Sequence, residues 1–142
     1  MEHYGATRVL MIRHGESQGN AEGFFAGQTD IPLTPLGHRQ AACTAEYLKD
    51  RAIDRIYSSD LIRAMQTAEP TARMHGLPVI PEPGLREIFA GKWEHVPYRE
   101  LPKRFPESRA VWQAHIGLAQ PDGGESVAAV AERIRAAVER LV

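Results

Sequence analysis

The sequence predicts an α/β fold of three layers: a mostly parallel sheet with helices on both faces, its last strand lacking. Val9, Leu10, Met11 and Ile12 form a short continuous apolar run, the mark of a strand buried on both faces. Short apolar segments then alternate with stretches of helical periodicity, an order that implies parallel strands joined by crossover helices. The sequence closes on an amphipathic helix where that alternation calls for one more strand. With 142 residues, 43% apolar and 25% charged, the chain is long enough to bury a core, and it shows no repeat, low-complexity tract or linker. It reads as a single domain, 1–142, incomplete at its C-terminus.

The first strand, residues 8–12, stops abruptly at Arg13-His14-Gly15-Glu16, and a Gly-rich polar stretch follows to Asp30. Thr34-Pro35 supplies an N-cap with proline in the first helical position. The helix it opens runs to Asp50, with Ala41, Ala45 and Leu48 facing the sheet and Cys43 packed nearby. Residues 54–58 form a weaker strand, and the helix from Leu61 to His75 ends at Gly76 and Pro78. Residues 77–80 are the third strand, after which Pro81, Pro83 and Gly84 bend the chain before Leu85-Arg86-Glu87. Residues 90–122 carry Trp93, Tyr98, Phe105 and Trp112 among Pro97, Pro102 and Pro106, and read as short helices folded over the sheet edge as a lid or pocket wall. Core packing is the alternative for each of these aromatics. Gly123-Gly124-Glu125-Ser126 opens the last helix, apolar at Val127, Val130, Ala131, Ile134, Val138 and Leu141.

Charge and composition exclude several functions. A formal net charge of -1, from 17 Lys+Arg against 18 Asp+Glu, gives no field to hold a polyanion, so no nucleic-acid partner is expected. The single cysteine, Cys43, removes Cys-rich metal sites and fits a reducing compartment, with the cytoplasm as the default. No basic flank with an apolar run marks residues 1–7 for export, and no apolar stretch is long enough to span lipid, so no membrane association is expected. Six histidines invite a metal, yet there is no His-Glu-x-x-His, Cys pair or Asp-rich cluster, and neither common Gly-rich nucleotide cradle is present. No metal and no cofactor are expected.

His14 follows a predicted buried strand at its carboxyl end, where open α/β sheets bind ligands, and Arg13 precedes it directly. Asn20 and Gln28 lie in the next loop, Arg63 follows the second strand and Glu87 the third. These blocks resemble the histidine phosphatase superfamily, the phosphoglycerate-mutase-like fold, on its phosphatase branch. The first reads Leu10-Met11-Ile12-Arg13-His14-Gly15-Glu16-Ser17 and the second Asp30-Ile31-Pro32-Leu33-Thr34-Pro35-Leu36-Gly37. Three more follow in order: residues 58–68 with Arg63, Leu85-Arg86-Glu87-Ile88 with Gly91 and Trp93-Glu94, and Gly123-Gly124-Glu125-Ser126.

Phosphoryl transfer needs an in-line nucleophile and positive donors on the equatorial oxygens. Neutral imidazole is available near pH 7, its free pKa being ~6.5, and neighbouring arginines disfavour its protonation. His14 is therefore the expected nucleophile, forming a phosphohistidine intermediate. The resemblance implies that Arg13, Arg63 and Asn20 bind phosphate, the guanidinium forks suiting the oxygens and Asn20 adding a neutral donor. Glu87 is the expected general acid, which then takes a proton from the attacking water; an ordinary salt bridge is the alternative. Gln28 and Thr29 either touch substrate or close a turn, and Glu16 is read as a supporting or surface carboxylate.

The resemblance also implies a second histidine, on a strand after the Gly-Gly-Glu-Ser helix. The sequence ends before that strand, and no other histidine matches: His3 is in the tail, His38 and His75 read as helical, and His95 and His115 fall in the lid. The resemblance implies that this histidine donates to the phosphoryl oxygens, and loss of one such donor costs ~10²–10³ in rate. A fragment, completion by another chain and a pseudoenzyme all remain open at this point. His95 stands where the phosphatase branch commonly carries glycine after Trp-Glu.

The leading expectation is a phosphomonoesterase acting on a small phosphorylated metabolite through His14. The alternatives are a phosphoglycerate mutase and, from another class, a catalytically impaired phosphate-binding protein. If the chain ends at Val142, the helix face of Val130, Ile134 and Val138 favours self-association as a homodimer.

Overall fold

The computed structural model describes residues 5–142. His3 lies outside them. The elements in order are α1 (Gln18–Glu22), α2 (Pro35–Leu48), β1 (Ile56–Ser58), α3 (Ile62–His75), β2 (Val79–Pro81), α4 (Leu101–Arg104), α5 (Pro106–Ala114) and α6 (Val127–Leu141). Single 3₁₀ turns occupy Pro83–Leu85, Gly91–Trp93, Tyr98–Glu100 and Ile116–Leu118.

The helices begin where local chemistry dictates. Thr34 Oγ1 accepts the Gly37 N–H at the start of α2, with Pro35 in the first turn, and Ser126 Oγ accepts the Ala129 N–H at the start of α6. Gly76, at φ 63°, closes α3 in the left-handed conformation. The buried stripe of α2 is Ala41, Ala45 and Leu48, as the periodicity predicts, and α2 packs on α3. Cys43 is exposed instead of packed, because it lies off that stripe.

The sheet is smaller than the sequence predicts. Among the described residues it has two strands, β1 and β2, paired in parallel as the alternation implies, with Ile56 opposite Val79 and Ser58 opposite Pro81. The predicted first strand is not formed: residues 8–12 have no regular structure, and Val9, Leu10, Met11 and Ile12 are 49%, 47%, 79% and 52% exposed. A doubly buried strand needs neighbours on its edges and layers on its faces, and no described strand pairs with this segment.

The hydrophobic core proper lies in the later half. Ala90, Trp93, Val96 and Leu101 are buried, with Phe25, Phe105 and Trp112 packed against them. Phe25 meets Trp93 and Trp112 edge-on, at centroid distances of 5.7 Å each. The indole N–H of Trp93 donates to Asp122 Oδ2 at 3.3 Å, so this fully buried ring leaves no polar atom unpaired. Of the four aromatics in the predicted lid, Trp93, Phe105 and Trp112 are core, and Tyr98 stays 45% exposed. The α6 residues Val130, Ile134 and Val138 are half-buried, since α6 lies against the 3₁₀ turns at Pro83–Leu85 and Ile116–Leu118. Truncating Trp93 to alanine empties the centre of this cluster. It is expected to cost about 3–5 kcal/mol, read as a lowered urea midpoint with little change in m.

Candidate active site

The backbone after residue 12 is fixed by close approach and by side-chain hydrogen bonds. The Gly15 N–H donates to Thr67 Oγ1 at 3.0 Å, and the Thr67 hydroxyl donates to the Arg63 carbonyl at 2.7 Å. A Cβ on Gly15 would lie 2.6 Å from the Gly37 carbonyl oxygen, and one on Gly37 would lie 2.1 Å from that of Glu16. Only glycines allow this contact between the His14 loop and the first turn of α2. Glu16 completes it, its Oε1 accepting from Thr34 Oγ1 at 2.6 Å and its N–H donating to Gln40 Oε1 at 2.7 Å. It is thus a supporting carboxylate.

His14 is half-buried, with Nδ1 2.6 Å from the Gly15 carbonyl oxygen. A carbonyl only accepts, so Nδ1 carries the hydrogen and the lone pair is on Nε2. Burial, chiefly, holds the imidazole pKa below its ordinary 6.5; the Gly15 bond and Glu87 oppose this, and Arg63 and Arg13 add to it. Both the tautomer and the neutral state suit a nucleophile.

Arg63, in the first turn of α3, is 2% exposed. Its Nη1 donates to the Thr29 carbonyl at 2.9 Å and its Nη2 to that of Gly27 at 2.6 Å. Asp30 follows in the same loop and accepts the Ile62 N–H at 2.7 Å, supplying the side-chain cap that α3 otherwise lacks. The loop therefore wraps the N-terminus of α3 and draws Arg63 up to a cleft of about 220 Å³. Arg13, His14, Asn20, Arg63 and Glu87 form the polar side of that cleft, and Phe25 and Tyr98 line it as well. His14 is the one histidine among its described lining residues.

Asn20 belongs to α1, a short helix absent from the sequence prediction. Its Oδ1 accepts from the Ser17 N–H at 3.0 Å and from Ser17 Oγ at 2.9 Å, which leaves its amide N–H₂ as the free donor. Ser17 with Asn20 is a capping box, and Ser17 was the signal that marks it. Gln28 and Thr29 are not among the lining residues. The Gln28 side chain donates to the Glu87 carbonyl at 3.1 Å, and Thr29 Oγ1 donates to Glu94 Oε2 at 2.7 Å. His95 stacks on Phe24 and has Nε2 3.2 Å from Thr29 Oγ1. Its φ of 63° is the left-handed conformation that glycine adopts without strain, in keeping with the glycine that the resemblance implies at this position. His75 Nε2 lies on the Leu48 carbonyl, away from the cleft.

Glu87 is exposed at the cleft, on a segment without helix or strand. Beside it, Arg86 forms a bidentate pair with Asp60 at the end of β1, and this bond holds the Asp60 carboxyl below its ordinary pKa. No three His, Cys, Asp or Glu side chains converge among the described residues, and no described helix is long and apolar enough to cross a membrane.

A histidine, two guanidinium groups, an amide donor and a carboxyl line one cleft, and residues 9–142 match the histidine phosphatase superfamily (branch 1). The chain belongs to that superfamily. Its α/β fold is phosphoglycerate-mutase-like. It is 38% identical over 135 residues to glucosyl-3-phosphoglycerate phosphatase of Mycolicibacterium vanbaalenii, covering 95% of this chain and 60% of that protein. It is likewise 38% identical over 136 residues to the probable phosphoglycerate mutase GpmB of Photorhabdus laumondii, covering 93% and 61%. Among solved structures, a mycobacterial glucosyl-3-phosphoglycerate phosphatase in complex with VO3 superposes with a TM-score of 0.84 at 36% identity, covering 90% of this chain and 63% of that one. The chain thus spans about three fifths of the length of these curated relatives.

Because its folded pKa is lowered, His14 adds stability above the unfolded value of 6.5 and loses it as pH falls through the folded pKa. NMR titration of the imidazole in the free protein is expected to give a midpoint below 6.5; a midpoint at or above that value contradicts the buried neutral state.

Proposed function

We propose that the protein is a phosphomonoesterase acting on a small phosphorylated metabolite through a phosphohistidine on His14, with water as the final acceptor. The observation that carries this reading is the His14 tautomer: Nδ1 is occupied by the Gly15 carbonyl, and Nε2 is left for a phosphorus atom in a cleft bearing Arg13, Arg63 and Asn20. In the first step Nε2 forms a bond to phosphorus as the ester oxygen departs, and Glu87 gives its proton to that oxygen. In the second, water attacks phosphorus, its proton passes to the Glu87 carboxylate, and the N–P bond breaks to release inorganic phosphate. Arg13, Arg63 and the Asn20 amide carry the equatorial oxygens, where charge is spread in the transition state. Phosphatase names among the relatives support the reading.

A second reading, a mutase returning the phosphoryl group to a substrate hydroxyl, is favoured by the equal identity to the GpmB protein. Release of inorganic phosphate without a bisphosphate primer separates the two.

Exposure to an aryl phosphate, quenched without acid, is expected to give one phosphoryl adduct by intact mass. The adduct should be absent from His14→Ala. Glu87→Gln should form it from a good leaving group but slow turnover by about 10²–10⁴. Adduct formation by His14→Ala would overturn the assignment. Phosphate or vanadate binding with no adduct on the wild-type chain would support a binding protein instead.

A further inference from the structure

We propose that Arg133, on α6, is a positioning residue for proton transfer at Glu87: its guanidinium, held in turn by Glu125, fixes the backbone that presents the Glu87 carboxyl to the cleft. The proposal rests on the reading of Glu87 and His14 given above.

Arg133 lies between Val130 and Ile134 on the inward face of α6, where periodicity places apolar residues. Its side chain is 24% exposed, and all five of its N–H donors have acceptors. Nε donates to Glu125 Oε1 at 3.0 Å and Nη2 to Glu125 Oε2 at 2.8 Å. Nη1 donates to the carbonyls of Gly84 and Arg86, each at 2.9 Å, and Nη2 also to that of Glu87 at 3.4 Å. Three of the five acceptors are thus backbone oxygens of the segment that carries the acid. Glu125 joins the grip, accepting the Phe89 N–H on Oε2 at 2.8 Å while its own N–H donates to the Phe89 carbonyl at 2.8 Å. The bond to Arg133 holds the Glu125 carboxyl below its ordinary pKa.

Residues 86–90 belong to no helix or strand, so these side-chain bonds stand in for a ladder. A general acid must stay within hydrogen-bond reach of the leaving oxygen, and a displacement of about 1 Å costs on the order of 10²-fold. Lysine, with three donors on one nitrogen, cannot span a carboxylate and three carbonyls.

The test uses the full chain as wild type, Arg133→Lys, Glu87→Gln and the double variant, on 4-nitrophenyl phosphate and on a simple alkyl phosphate. Nitrophenolate leaves without a proton, whereas an alkoxide needs one. Arg133→Lys is expected to lower kcat on the alkyl ester about tenfold or more and on the nitrophenyl ester at most about threefold, with KM little changed. Added to Glu87→Gln, it should cost nothing further on the alkyl ester. Equal losses on the two esters, or additive losses in the double variant, overturn the proposal and leave Arg133 as a stability residue. If Glu87→Gln itself shows no leaving-group dependence, it is the reading of Glu87 that has failed.

A second readout needs no turnover. Glu87 raises the His14 pKa through space, so Glu87→Gln should lower the His14 NMR titration midpoint. Arg133→Lys, or Glu125→Gln if the first variant does not fold, should lower it in the same direction. An unmoved midpoint in a folded Arg133→Lys or Glu125→Gln variant, beside a shifted one in Glu87→Gln, overturns the proposal.

Discussion

Arg63 carries its charge at 2% exposure, with the carbonyls of Thr29 and Gly27 rather than a carboxylate accepting its hydrogen bonds among the described residues. Burial lowers its pKa, yet a guanidinium stays protonated, and Glu87, Asp30 and Glu94 offset the lowering from a distance. Two carbonyl dipoles meet part of the desolvation cost, and to do so the 27–29 loop must fold over the start of α3. That fold also places Asp30 on the Ile62 N–H and the Leu33 N–H on Gln66 Oε1. From the other end of the same helical turn, the Arg63 carbonyl anchors Thr67, which anchors Gly15 beside His14. His14, Arg63 and the loop over them therefore belong to one hydrogen-bonded unit. An anion entering the cleft meets a buried cation held by dipoles and free to gain from a full opposite charge.

The Glu87 side of the cleft is built differently. It comes from the later part of the chain, where an aromatic core stabilises by area and side chains grip an irregular backbone. Gln28 reaches the Glu87 carbonyl from the pocket loop, Asp60 holds Arg86 from the end of β1, and Arg133 holds the same segment from α6. Two halves of the chain thus meet at one short segment.

The helices were legible because their signals are local: Thr34-Pro35, Ser126, Gly76 and the small-residue stripe of α2 act within a turn of where they stand. The ordered blocks around Arg13, His14, Arg63 and Glu87 likewise name residues that line one cleft. Residues 8–12 form no strand, since an apolar run records what a segment is able to bury, not which neighbours lie beside it. Of the two readings of Gln28 and Thr29, substrate contact or a turn, the described residues show the turn, with the Thr29 N–H on the Ala26 carbonyl. It is the carbonyls of Gly27 and Thr29 that hold Arg63, which no residue type marks because every residue has a carbonyl. Arg133 leaves a trace in the sequence, a charge in the apolar register of an amphipathic helix.

Both tryptophans of the chain, Trp93 and Trp112, lie in one cluster with centroids 5.4 Å apart. Phe25 touches both rings and also lines the cleft. Tryptophan emission from this chain therefore originates in a single place, directly behind the site. Its intensity and wavelength follow the integrity of the packed half and the posture of the cleft wall together, so the molecule carries its own optical probe with no label attached.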